Sequence, residues 1–111
     1  PTLESWLLTQ VRAIRLQGKD GINPLPTHDT HTLETIGHGP ENCEAHLEAT
    51  LEKLFEQSTG WLVYNTHGVD GEGWGPIRSS YLEELLVRLL DKNVLILPVG
   101  TALDWARNRA M

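Results

Sequence analysis

Residues 60–75, GWLVYNTHGVDGEGWG, decide how the rest of this chain is read: an apolar run, a histidine, then a glycine-rich loop. Trp61, Leu62, Val63 and Tyr64 are bulky and mostly apolar, which suits a strand covered on both faces, as in a parallel sheet flanked by helices. Side chains alternate along a strand, so Trp61, Val63, Asn65 and His67 fall on one face and Leu62, Tyr64 and Thr66 on the other. His67 then stands at the strand's carboxyl end beside Asn65, the end at which parallel sheets and barrels build ligand sites. The four glycines of the Gly68–Gly75 loop reach backbone conformations closed to other residues. Asp70 and Glu72 offer acceptors there and Trp74 a flat apolar surface, together a lip suited to a sugar. A histidine so placed can equally serve only to hydrogen-bond a neighbouring loop, and Trp74 can equally serve only to pin the loop.

Downstream of the loop, Ser80 and Glu83 form a capping-box pattern, and Leu82, Leu85, Leu86, Leu89 and Leu90 repeat at helical spacing. Asp91-Lys92-Asn93 turns the chain into Val94-Leu95-Ile96-Leu97, a second buried strand, parallel to the first if the connection is the usual right-handed crossover. Thr101 and Asp104 predict a further capped helix, with Leu103, Trp105 and Ala106 on the sheet and Arg107 and Arg109 suiting its carboxyl end. Upstream, Gly39-Pro40-Glu41 opens a helix that runs to about Ser58. It carries Cys43, Leu47, Leu51, Leu54 and Phe55 on one face and the solvated acids Glu44, Glu48, Glu52 and Glu56 on the other. His46, on the same helix, has nothing nearby that favours catalysis.

Val11 to Leu16 alternates and reads as a short strand, and Gln17 to Thr32, broken by Gly18, Gly21, Pro24 and Pro26, as a long loop. Its His28, Asp29 and His31 are metal-ligand types, but three close groups in a proline-rich loop with no second cluster read as a solvated loop. Thr2 to Leu8 has helical spacing with Thr2 as a cap. The terminal Pro1 invites comparison with the tautomerase family, whose general base is a terminal proline. There, however, the proline begins a strand, so Pro1 is read here as the start of a trimmed or incomplete chain.

The 111 residues make a single α/β domain with room for a modest core. A net charge of −6 argues against a nucleic-acid or anionic-membrane partner, which would need clustered Lys and Arg. No apolar run approaches a membrane span and no secretory leader is present, although a removed one would leave no trace; the chain is expected to be soluble. The single cysteine, Cys43, excludes an internal disulfide and leaves the compartment open.

The run WLVYNTHGV (61–69), then GWGPI (73–77), a Leu-rich helix and VLILPVG (94–100), resembles the C-terminal part of the polysaccharide deacetylase family of carbohydrate esterases. The likeness spans roughly Arg12 to Ala106, with Arg12, Arg15, Asn23 and Pro24 matching an Arg-containing strand and Asn-Pro loop. It implies a small parallel sheet with crossover helices, resembling the C-terminal half of an irregular β/α barrel. His67 matches the family's late catalytic histidine, which protonates the departing amine or alkoxide as an acetyl group is hydrolysed. Asn65 stands where the family prefers leucine, which puts acetyl specificity in question, and Asp70 and Trp74 are the further candidates for substrate binding.

The family's divalent metal is held by an aspartate after an early strand and a spaced histidine pair. This chain has no Asp-Asp dipeptide and matches the second motif only partly, through His28 and Thr32. No cofactor is therefore expected in this chain; a zinc-like metal is expected only if a missing N-terminal half is supplied. Three strands cannot close a barrel, leaving a marginal fragment, an open sandwich, or a homodimer completed through exposed sheet edges. Two functions stand side by side: the C-terminal part of a metal-dependent deacetylase acting on a carbohydrate substrate and inactive alone, or a non-catalytic carbohydrate- or protein-binding domain.

Overall fold

Thr2 begins the first helix as its spacing predicts: its Oγ1 accepts a hydrogen bond from the Ser5 amide at 3.1 Å, opening α1, Leu3–Leu7. The computed structural model describes residues 2–109. Pro1, and the side chains of Arg107 and Arg109, lie outside the described set. After α1 come β1 (Ile14–Gln17), β2 (Ile22–Asn23), β3 (Thr32–Thr35), α2 (Cys43–Glu56), β4 (Trp61–Leu62), α3 (Ser79–Asp91) and α4 (Val99–Arg109). The result is a mixed α/β fold with no closed barrel among the described residues.

β1 and β3 pair in parallel, from Ile14 opposite Thr32 to Gln17 opposite Thr35. β2 runs antiparallel to β4, with Ile22 opposite Leu62 and Asn23 opposite Trp61. The segment expected to be one long loop, Gln17 to Thr32, therefore contains a strand, and a second strand follows it. β3 escapes a periodicity argument because Leu33 is its one strongly apolar residue; it is buried nonetheless, at Leu33 and Thr35.

Asn23 joins the two pairs. Its buried amide accepts from Glu34 N at 2.7 Å and donates to Glu34 O at 2.9 Å, imitating a strand ladder, and also donates to Trp61 O at 3.3 Å. Gly21 O accepts from Val63 N on the other side. Residues 21–23 thus lie between β3 and β4, which meet only beyond this wedge, where Ile36 bridges Tyr64 in parallel through Ile36 N to Val63 O and Asn65 N to Ile36 O.

The core forms where the apolar stripes of two helices face one another: Leu47 and Leu51 of α2, Leu85 and Leu89 of α3, and Ile77 between them, with Leu62, Tyr64 and Val94 packed around. The expected acidic outer face of α2 is only partly solvated. Glu44 takes a forked hydrogen bond from Arg78, and Glu48 accepts from both Tyr81 and Arg88, so these two carboxylates fasten α2 to α3 and its approach. Ala102, Leu103 and Ala106 of α4 are buried, and Asp104 pairs with Arg12 at 3.0 Å.

Four local expectations need correction. The α2 helix starts at Cys43, not near Pro40, because Asn42 takes a left-handed φ of 64° that helical backbone cannot continue through. It ends at Glu56 because Gln57 is extended. The α3 helix is not closed by a Ser80–Glu83 box; the carboxylate of Asp70 accepts from Ser79 N at 2.8 Å instead. Most consequential, Val94–Leu97 is not a strand and does not pair with residues 61–66. The Val94 amide is spent on Leu89 O, closing α3 past Asn93 at φ 60°, and Pro98 O already accepts the first bond of α4. Leu95, between these two turns, is 76 % exposed.

Candidate functional site

The candidate site grows from the end of β4. Leu62 and Tyr64 turn into the core, as strand alternation requires, and three residues on the chain releases His67 to solvent. Residues 68–75 then form a loop closed at its base by Ile77 N to Gly68 O and Asp70 N to Ile77 O. The turn needs its glycines: Gly73 has φ +86° and presses against His67 O so closely that a Cβ would collide with it. Asp70 itself takes φ 55°.

The loop rests on the chain that follows β3. A Cβ placed on Gly39 would meet the Trp74 ring at 2.9 Å, and one on Gly37 would come within 3.4 Å of His67 Nε2. His67 and Trp74 therefore share one floor, the Gly37–Gly39 backbone. Their rings meet edge to face, centroids 5.2 Å apart and planes at 85°, and Trp74 remains 54 % exposed.

Of the four site residues expected from sequence, the fold brings these two together. Asn65 is half-buried beneath them, its amide on Ile36 O and its carbonyl against Gly37. Asp70 faces the other way, toward α3, where the Ser79 amide holds its carboxyl below the usual carboxylate range.

Behind the floor lies a group of residues that no local pattern announces. His38 and His46 stack face to face, ring centroids 4.4 Å apart and planes 8° from parallel. His46 Nδ1 is 2.8 Å from the Tyr64 hydroxyl, and the Cys43 thiol donates to His38 O at 2.7 Å. Burial lowers the His46 pKa below its ordinary value, with the neighbouring His38 and Lys53 adding to the shift. Burial also pushes Tyr64 up to about 12, with Cys43 adding to the shift. His38 lies eight residues before His46, across a turn and a left-handed Asn42, so only the folded chain reveals their contact.

His28, Asp29 and His31 form a self-contained turn. Thr27 and Thr30 hold its backbone, His31 Nδ1 donates to Asp29 O, and His28 pairs with the Asp29 carboxylate at 3.4 Å. Among the described residues no group of three or more His, Cys, Asp or Glu side chains is placed to hold a metal ion. The donor set present does not fit the divalent metal that a deacetylase resemblance implies. No helix among the described residues is long and apolar enough to cross a membrane. No protein-family model matches the chain, and neither curated proteins nor solved structures contain a significant match to it.

Proposed function

We propose that the His67–Trp74 lip binds carbohydrate and that this chain is the proton-donating part of a polysaccharide deacetylase, with His67 as general acid. The observation that carries the proposal is the pairing of an exposed imidazole with an exposed indole on a loop whose backbone is locked at both ends. An indole face gives a sugar ring its apolar contact, and an imidazole beside it is within reach of a leaving group on that sugar. As the acyl carbon–nitrogen bond breaks, His67 gives its proton to the departing amine. The hydroxyl that completes the acid product comes from water, activated by groups other than the residues described here.

The barrel-half architecture belongs to the same proposal. It is supported by the parallel pairing of β1 with β3 and by the single parallel bridge from Ile36 to Tyr64, beyond the ends of β3 and β4. The poor fit of the donor set to a metal favours the second function, a non-catalytic carbohydrate- or protein-binding domain.

The deacetylase and the carbohydrate-binding readings both require sugar on the lip. Titrating the chain with N-acetylglucosamine oligomers should move the NMR signals of the His67 ring and Trp74 indole, and Trp74→Ala should abolish the response; no response in the unaltered chain refutes the carbohydrate site. Catalysis is tested in an assembly that deacetylates. There His67→Ala should lower turnover of N-acetyl sugar by about 10²–10⁴-fold, the range of general acid catalysis, and spare activated aryl acetates, whose leaving group needs no proton. Equal losses on the two substrates would make His67 a positioning group.

A further inference from the structure

The stacked histidines are titratable, partly buried, and left unused by the proposed chemistry. Parallel rings aim their nitrogen lone pairs side by side and not at a common point, so the pair is a poor chelate. Its position is more telling. His38 is the middle residue of Gly37-His38-Gly39, whose backbone touches the His67 ring, the Trp74 ring and Gly75 on the loop side. On the other side its own ring lies flat on His46, which Tyr64 holds from beside β4.

We propose that the His38–His46 stack is a proton-sensitive latch for the His67–Trp74 lip. Neutral rings stack and hold the Gly37–Gly39 floor under the loop. When both rings carry protons, two like charges face each other at stacking distance, His38 leaves the stack, and the floor beneath Trp74 and Gly75 loosens. The surrounding groups oppose double protonation. Lys53, further along α2, is positive; Tyr64 is a neutral phenol; the Cys43 thiol is engaged with His38 O. Among the described residues no carboxylate makes a hydrogen bond or ion pair with either ring. Ligand control by the latch rests on the carbohydrate reading of the lip, whereas the conformational change does not.

The test follows ring signals of His38 and His46, the Trp74 indole and the Gly39 and Gly75 amides by NMR from pH 8 to pH 5 without sugar. In the unaltered chain the loop signals should move with the His46 titration. His38→Phe, which keeps a stacked ring without a charge, should abolish that movement, His46→Gln should do the same while retaining a partner for Tyr64, and His67→Ala should leave it in place. Loop signals that stay still while His46 titrates, that move unchanged in both stack variants, or that lose their movement in His67→Ala overturn the latch. Failure of the chain to bind N-acetylglucosamine oligomers at either pH would refute the carbohydrate site and leave the latch standing.

Discussion

Asn23 is the point at which the fold can be tested most sharply, because one side chain holds two strand pairs together. Asn23→Ala deletes the acceptor for Glu34 N and the donor for Glu34 O, at 2.7 and 2.9 Å, along with the longer contacts to Trp61 O and Gly21 O. Each good bond contributes about 1 kcal/mol net, and a buried polar group left without a partner costs about 1–3 kcal/mol. Asn23 is 7 % exposed, but Glu34 lies nearer solvent and water can partly replace the amide there. The expected loss is about 2–4 kcal/mol, or a urea midpoint lower by on the order of 1–2 M at unchanged slope. Asn23→Asp sharpens the test: it can accept from Glu34 N, but it presents oxygen to the carbonyls of Glu34, Trp61 and Gly21. It should be at least as damaging as alanine. An alanine variant within about 0.5 kcal/mol of the parent, or an aspartate variant milder than alanine, would refute the wedge as the element that joins the sheet.

Stability should fall on acidification in two stages. The His46 pKa is lowered in the folded chain from 6.5, so the unfolded chain takes up the proton first, and stability is lost as pH drops from 6.5 through the folded value. The Glu44 and Glu48 pKa values are lowered from 4.5, chiefly by their bonds to Arg78 and Arg88, so their contribution is complete above pH 4.5 and is lost as pH falls through the folded values. Urea midpoints measured against pH should lose the first stage in His46→Gln and have a smaller second stage in Glu48→Gln; a flat profile from pH 7 to 3 contradicts both. Calorimetric titration with zinc should give no stoichiometric submicromolar binding, and such binding abolished by His31→Ala would establish a local metal site at residues 28–31.

The sequence alone determined what depends on near neighbours. Helical spacing located α1, α2 and α3, Thr2 caps the first of these, and alternation turned Leu62 and Tyr64 inward while carrying the chain to His67. Tertiary structure decided what depends on distant partners. Leu95, Ile96 and Leu97 have the composition of a buried strand, but composition reports a demand for cover and does not choose a backbone partner. Turns at both ends took the neighbouring hydrogen-bonding groups first. Asp70 looks in sequence like a free acceptor on a loop, yet the α3 amides it caps begin nine residues away and reach it only after the loop closes. The His38–His46 stack likewise depends on the turn at Asn42 and on Tyr64 arriving from a strand eighteen residues beyond His46. Local periodicity encodes which face of an element is apolar; hydrogen-bond pairing between segments remote in sequence is settled only when those faces pack.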